Sequence, residues 1–258
     1  GDKPSRNYLP NRSNPMIVAY DGTSYCGWQV QPGDPSVQQA VQQALSTLLR
    51  HETPVVGAGR TDTGVHASFY VAHFDAERAV DDPARFCYHL NAVLPDDLAV
   101  SALRRVRDDA HARFDAVQRE YKYYVALRKD PFRRDTAFRY ALPLDAERMN
   151  EAAALLIGCG DFTSFAKLHS NNKTNVCRVD RARWDREDDL LVFTIAADRF
   201  LRNMVRAVVG TLLEVGRGKL TVDGFRRVIG QKDRCKAGTS VPGNALFLVD
   251  VTYPEELF

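Results

Sequence analysis

Apolar residues recur along this chain with two different periods, and each period predicts its own kind of element. Short apolar runs that end at turn residues predict β-strands. These runs are MIVAYDG, TPVVGAG, SFYVAHFDA, REYKYYVAL and ALFLVDVTY, and CRVDRARWDREDDLLVFTIAA predicts a hairpin that turns at DREDD. In REYKYYVAL, the alternation places Tyr121, Tyr123 and Val125 on one face of the strand.

Apolar residues spaced three and four apart predict helices in further stretches. The first, SVQQAVQQALSTLLRH, begins with Ser36 and Gln39 in the arrangement of a capping box. Other helices are predicted near residues 83–94, in LDAERMNEAAALLIG with Asp145 as N-cap, and from about Arg199 through FLRNMVRAVVGTLLEVG. The stretch GAGRTDTGVHA, residues 57–67, falls between two strands and is therefore predicted to be a loop.

Strands and helices mix without a strict strand-helix-strand order, which favours an α+β class over a doubly wound sheet. We expect two α/β-mixed lobes with antiparallel or mixed sheets that meet at a central basic cleft. The predicted boundaries are a flexible N-terminal arm at residues 1–15, an N-terminal α+β domain at 16–106 that carries the GAGRTDTGVHA loop, and a C-terminal α+β domain at 107–258.

Composition narrows the class of protein. The chain has 258 residues, of which 45% are hydrophobic, and neither a bilayer-length apolar run nor a signal-peptide hydrophobic region is evident. These features predict a soluble, cytoplasmic protein without a membrane partner. The five cysteines are scattered and never form C-x-x-C, which argues against a zinc knuckle and against a disulfide framework.

Charge is distributed unevenly along the chain. The formal net charge is only +2, yet residues 104–139 contain eleven Lys or Arg against six Asp or Glu. Aromatic residues alternate with these cations: Phe114, Tyr121, Tyr123, Tyr124, Phe132, Phe138 and Tyr140. Such a mixture fits an RNA-binding surface, and it fits a solvated face beside a core strand equally well.

The GAGRTDTGVHA loop allows four interpretations. It is a tight turn whose glycines adopt positive φ, or a phosphate cradle, although it lacks the Lys-Ser/Thr of a P-loop. A third interpretation takes Asp62, His66 and His73 as metal ligands, but their spacing matches no known metal site. In the fourth, Asp62 is a lone carboxylate nucleophile that a nearby arginine holds in one orientation.

A second source of arginine lies in DRFLRNMVRAVVG. If this stretch is helical throughout, Arg199, Arg202 and Arg206 share one helical face. That face is either a solvated basic stripe or a binding surface for phosphate or for a carboxylate such as Asp62.

Several separated stretches together resemble the tRNA pseudouridine synthase A family. They are YDGTSYCGWQVQP, SVQQAVQQAL, GAGRTDTGVHA, LNAVLPDDL, ARFDAVQREYKYYV, DFTSFAK, FLRNMVRAVVGTLLEVGRGK and DRCKAGTS, in this order along the chain. The resemblance implies a pseudouridine-synthase-like fold and an isomerase that converts uridine to pseudouridine at positions 38, 39 and 40 in the anticodon arm of tRNA. It also implies a homodimer that needs neither cofactor nor metal.

The resemblance assigns roles to individual residues. Asp62 is similar to the catalytic aspartate of the family, and Arg60 to the arginine that helps to expose the target nucleotide. Tyr121 resembles the ring that stacks on the uracil, Arg202 the arginine that pairs with the catalytic carboxylate, and Leu246 a leucine that lines the pocket. The rival interpretations are a non-catalytic tRNA-binding or RNA-binding protein and a metal-dependent hydrolase.

Overall fold

A computed structural model describes residues 15–77, 80–104, 106–107 and 109–257. The predicted N-terminal arm therefore lies outside the described residues except for Pro15. The chain forms two compact units: one runs up to Val117 and includes the chain from Leu248 onwards, and the other is Gln118–Phe247. The boundary expected from the sequence, between residues 106 and 107, falls inside the first unit.

The first unit combines a sheet with two helices. Its strands are β1 (Pro15–Tyr20), β2 (Val55–Gly57), β3 (His66–Phe74), β4 (Leu98–Leu103) and most of β10 (Leu246–Thr252), and its helices are α1 (Val37–Leu49) and α2 (Pro83–Val93). β1 lies between β3 and β4 and is antiparallel to both, while β2 pairs with β3 near its C-terminal end. β10 lies beside β3. Alternate residues of β1 are buried, so one face of this sheet belongs to the core.

The second unit is built in the same manner. Its strands are β5 (Gln118–Ala126), β6 (Phe138–Arg139), β7 (Gly158–Asp161), β8 (Val176–Glu187) and β9 (Leu190–Ala197), and its helices are α3 (Ala146–Ala154), α4 (Met204–Gly216) and α5 (Val222–Gln231). The sheet order β5-β9-β8-β7 is antiparallel, and β6 pairs in parallel with β5. The α+β class is thus confirmed.

Most elements that the hydrophobic pattern predicts are present. Ser36 accepts a hydrogen bond from the Gln39 amide at the start of α1, and Asp145 caps α3 in the same way through the Arg148 amide. β8 and β9 form the predicted hairpin. The pattern did not lead us to predict β4, β6, β7 or α5, although α5 has a buried face that includes Phe225 and Val228.

The helix predicted from Arg199 was wrong at its N-terminal end. α4 begins at Met204, because Asn203 has φ +67 and ψ +6, a left-handed conformation that interrupts helical geometry. Arg199 and Arg202 therefore precede the helix and do not share a helical face with Arg206. The Arg199 guanidinium instead donates to the carbonyl oxygens of Thr174 and Val176, at 2.9 and 3.0 Å.

Among the described residues, no helix is both long enough and apolar enough to cross a bilayer. All five cysteines are free thiols.

Candidate active site

The predicted catalytic carboxylate lies on a loop that connects β2 to β3, as the sequence indicated. We call residues 58–65 the aspartate loop. The Val65 amide donates to the Asp62 carbonyl at 3.1 Å, which closes a four-residue turn, and Gly64 has φ +79 at the third position of that turn. A positive φ at this position is the requirement of a type II turn, which favours glycine. Backbone contacts therefore set the position of Asp62.

Positive φ explains Gly64 but not the other two glycines of the motif, so the interpretation that all of them adopt positive φ was wrong. A Cβ atom on Gly57 would lie 2.0 Å from the Tyr70 hydroxyl oxygen and 2.5 Å from the Trp28 indole. Gly57 is thus required by close packing. The Gly59 carbonyl accepts a hydrogen bond from the Tyr70 hydroxyl at 2.6 Å.

Three buried aromatic rings lie in contact with this region of the first unit. The ring centroids of Trp28 and Tyr70 are 4.4 Å apart, and those of Tyr20 and Tyr70 are 5.7 Å apart with an interplanar angle of 64°. Large rings packed in these geometries contribute stability beyond the area that they bury. They give the aspartate loop a rigid support.

The Tyr20 hydroxyl joins this support directly to the residue before Asp62. Its oxygen lies 2.8 Å from the Thr61 Oγ1, and both residues are buried. Replacement of Tyr20 by phenylalanine removes the hydroxyl and leaves Thr61 without this bond in a region that water does not reach.

We expect Tyr20→Phe to lower the free energy of unfolding by about 1–3 kcal/mol, the usual effect of losing one buried hydrogen-bond partner. Urea unfolding followed by circular dichroism measures the change. The matched control is Tyr88→Phe, because Tyr88 is exposed on α2. Equal stabilities of the two variants would contradict the structural role of the hydroxyl.

The segment YDGTSYCGW, residues 20–28, which includes Tyr20 and Trp28, also contacts the loop through its backbone. The Tyr25 carbonyl accepts from the Gly64 amide at 3.2 Å, and the Thr61 carbonyl accepts from the Trp28 amide at 3.4 Å. A Cβ atom on Gly22 would lie 2.0 Å from the Val65 carbonyl oxygen, and one on Gly27 would lie 2.3 Å from that of Thr61. Both glycines permit backbone to approach backbone.

The two histidines that were considered as metal ligands make other contacts. His66 is buried, and its Nδ1 accepts a hydrogen bond from the Gly22 amide at 2.9 Å. His73 Nδ1 accepts from the Ala112 amide at 3.0 Å. Within the described parts of the chain, no group of three or more His, Cys, Asp or Glu side chains has an arrangement that could hold a metal ion.

Arg60 and Asp62 differ in their exposure. The Arg60 side chain is exposed, Thr61 is buried, and Asp62 is half-buried. Asp62 is therefore partly shielded yet accessible, whereas Arg60 extends into solvent. An exposed guanidinium presents donors in a fork that matches the geometry of phosphate and carboxylate groups.

The other predicted site residues belong to the second unit. Tyr121 on β5 is buried, and its ring meets the Phe200 ring edge-to-face at a centroid distance of 5.0 Å. Phe200 is two residues before Arg202, so this contact joins Tyr121 to the segment that carries the arginine. Leu246 is buried at the start of β10.

Arg202 is exposed, and the segment around it is anchored by its backbone and its neighbours. The Arg202 carbonyl accepts from the Lys167 amide at 3.1 Å, and the Asn203 side-chain amide donates to the Ser240 Oγ at 2.6 Å. Ser240 also accepts from the Arg234 guanidinium at 2.9 Å. These bonds fix the backbone of Arg202 and leave its guanidinium at the surface.

Comparison with known proteins decides the family. A family model described as tRNA pseudouridine synthase matches residues 16–115 and 152–254. The chain belongs to the tRNA pseudouridine synthase family. The family assignment and the isomerase class that the resemblance implied are thereby confirmed.

Individual relatives agree with the family model. The chain is 61% identical over 246 residues to tRNA pseudouridine synthase A of Bacteroides thetaiotaomicron, across 94% of this chain and 91% of that protein. It is 59% identical over 244 residues to the protein of the same name from Bacteroides fragilis, across 94% and 97%. With tRNA pseudouridine synthase A of Bacillus subtilis the identity is 42% over 241 residues, across 92% and 97%.

In this member of the tRNA pseudouridine synthase family, sequence patterns did not reveal the residues that support the candidate active site. Tyr20, Trp28 and Tyr70 looked like ordinary strand and turn residues, since their packing depends on contacts between distant parts of the chain. Ser240 likewise gave no signal. Asn203 did carry one, because asparagine directly before an apolar helical run is a common N-cap and enters the left-handed region readily.

Proposed function

We propose that this protein isomerises uridine to pseudouridine at positions 38, 39 and 40 in the anticodon arm of tRNA, with Asp62 as the catalytic group. The observation that carries the proposal is the position of Asp62: a half-buried carboxylate on a turn that backbone bonds and buried rings hold in place. Membership of the tRNA pseudouridine synthase family supports the substrate and the reaction.

The reaction conserves all atoms of the nucleoside. The bond between N1 of uracil and C1′ of ribose breaks, the base turns, and a bond forms between C5 and C1′. N1 gains a proton and C5 loses one, so no electrons are exchanged with another molecule. A carboxylate can begin this sequence by attacking C1′, by adding to C6 of the ring, or by removing the 2′-proton.

A single carboxylate is adequate because the leaving group is stable. A glycosidase needs a second carboxyl group to protonate a poor alkoxide leaving group. The uracil anion spreads its charge over the ring and two carbonyl oxygens, and it leaves without that assistance. This agrees with a motif in which Asp62 has no acidic neighbour in the sequence.

The remaining site residues receive the roles that the resemblance implies. Arg60 helps to expose the nucleotide, Tyr121 stacks on the uracil, Arg202 pairs with the catalytic carboxylate, and Leu246 lines the pocket. Extrusion of a paired base costs a few kcal/mol, which phosphate contacts offset. We further propose that the protein acts as a homodimer in the cytoplasm.

Tritium release from tRNA that carries 5-tritiated uridine tests the proposed function, because isomerisation replaces the hydrogen at C5 by the new bond to C1′. We expect release in the presence of EDTA, and none from a transcript in which cytidine replaces the uridines at positions 38–40. A non-catalytic RNA-binding protein releases no tritium, and a metal-dependent hydrolase shortens the RNA only when metal is present. Release from the cytidine transcript would overturn the assigned positions and leave the isomerase activity intact.

A further inference from the structure

Aromatic residues between positions 104 and 140 differ sharply in their accessibility. Tyr121 and Tyr123 are buried, whereas Tyr124, Phe138 and Tyr140 are half-buried. Phe114 is 77% exposed and Phe132 is 96% exposed. Most of these aromatic side chains are thus at least half-buried, and Phe114 and Phe132 are the ones whose rings reach solvent most fully.

Phe114 has a defined orientation despite its exposure. Its ring stacks on that of His111 at a centroid distance of 4.2 Å and an interplanar angle of 21°. The Arg113 guanidinium carbon lies 5.9 Å from the centre of the Phe114 ring. Exposed aromatic rings on which bases stack, together with arginine side chains in cation–π contact, are features of sites that bind single-stranded nucleic acid.

The backbone beneath the ring is also fixed. His111 Nδ1 accepts hydrogen bonds from the amides of Arg113 and Phe114, both at 3.1 Å. The Asp115 carboxylate accepts from the His111 amide at 2.6 Å, and the Asp115 amide donates to the His111 carbonyl at 3.1 Å. These bonds close residues 111–115 into a compact turn.

The same turn is attached to the sheet of the first unit. The Ala112 amide donates to His73 Nδ1 on β3, and the Ala112 carbonyl accepts from the Tyr253 hydroxyl at 2.5 Å. The rings of His73 and His111 are 4.9 Å apart. His73 therefore serves as a support for the turn that carries Phe114, on the strand that follows the aspartate loop.

We propose that Phe114, with Arg113 beside it, is a stacking site for an unpaired base of the bound tRNA outside the catalytic pocket. A single exposed apolar side chain is ordinary on a protein surface, so exposure by itself indicates nothing. The rigid turn and the adjacent guanidinium are the features that distinguish Phe114. The proposal rests on the proposed function for the identity of its RNA.

Binding of a tRNA transcript to four proteins tests this site: the unchanged protein, Phe114→Ala, Phe114→Tyr and Tyr88→Ala. We expect Phe114→Ala to raise Kd about tenfold, as expected for a lost base–ring stack, and Phe114→Tyr to stay within about twofold of the parent. Tyr88→Ala removes a ring that is also 74% exposed, and it should bind like the parent.

The salt dependence of Kd separates stacking from phosphate binding. Loss of a stacked ring leaves the slope of log K against log salt concentration unchanged, whereas loss of a phosphate contact reduces it by about one. An unchanged Kd for Phe114→Ala, or an altered slope, would overturn the proposal. If light scattering shows that the variant changes its oligomeric state, the ring belongs to a contact between protein copies and the proposal is wrong.

Tritium release by the same proteins keeps the two proposals apart. We expect Phe114→Ala to raise KM and to retain kcat at saturating tRNA, because the ring lies outside the reacting pocket. If the unchanged protein releases no tritium, the proposed function fails. The ratio of Kd values still decides whether Phe114 binds RNA.

Discussion

Asp62→Asn is expected to bind tRNA as tightly as the parent enzyme and to yield no measurable pseudouridine. The amide has nearly the shape of the carboxylate, but it is neither a nucleophile nor a base at neutral pH. Removal of such a group from other enzymes lowers turnover by about 10⁴-fold to 10⁶-fold, which leaves only the effects of binding and positioning. Tritium release measures turnover, and filter binding measures Kd.

The fold of the variant should be intact, because the turn around Asp62 depends on the backbone. The Asp62 carbonyl accepts from Val65 and the Gly64 amide donates to Tyr25, and neither bond needs the carboxylate. Asp34→Asn is the matched control, since Asp34 is an exposed carboxylate at a turn before α1, and it should keep full turnover. Undiminished tritium release by Asp62→Asn would remove Asp62 from the catalytic role.

A further variant separates the charge of Asp62 from its position. Asp62→Glu retains the carboxylate and displaces it by one methylene group. Misplacement by about 1 Å costs about 100-fold in rate when a reacting group must meet its target in one geometry. We therefore expect Asp62→Glu to turn over slowly and to remain more active than Asp62→Asn.

The location of the candidate catalytic residue could be predicted from sequence because strands on both sides of the motif are strongly patterned. Val55 and Phe74 belong to short apolar runs that predict strands, and the stretch between them contains the glycines. The turn chemistry was predictable only in part. Gly64 follows the rule for positive φ, but Gly57 is required by the Tyr70 and Trp28 rings, and these come from other segments.

The start of α4 shows why periodicity fails at element ends. Apolar spacing continues unbroken from Phe200 through Leu201 to Met204, so the pattern reads as one helix. The backbone turns away at Asn203, whose side chain bonds to Ser240 on a distant segment. This bond depends on tertiary structure, which a local pattern cannot register, and its consequence is that Arg202 lies on an irregular segment and not on a helix face.

Gly27→Ala is expected to lower the free energy of unfolding by about 2–5 kcal/mol and to reduce turnover about 100-fold. Two separate costs contribute to the loss of stability. Gly27 has φ +87, which an alanine tolerates poorly, and the new methyl group would lie 2.3 Å from the Thr61 carbonyl oxygen. Since the Thr61 carbonyl oxygen belongs to the backbone, relief of the clash requires the chain at Gly27 and the chain at Thr61, the residue before Asp62, to move apart.

Gly33→Ala separates the cost of positive φ from the cost of the steric clash, within the same region of the chain. Gly33 has φ +80, nearly the value of Gly27, but no atom lies within 4 Å of the position that its Cβ would occupy. This variant should lose only about 1 kcal/mol, the cost of the left-handed conformation, and should keep its turnover. Urea unfolding and tritium release on both variants give the comparison.

The difference in stability and in turnover between Gly27→Ala and Gly33→Ala measures the effect of displacing the aspartate loop. The Tyr20 hydroxyl is hydrogen-bonded to the Thr61 side chain, and the Trp28 amide donates to the Thr61 carbonyl. The loop therefore cannot move without disturbing these two packed aromatic residues. A clash at Gly27 is therefore expected to reach the Asp62 carboxylate, and kcat should fall more than tRNA binding does. Equal turnover in Gly27→Ala and Gly33→Ala would mean that the position of Asp62 does not depend on the backbone contact with residues 20–28.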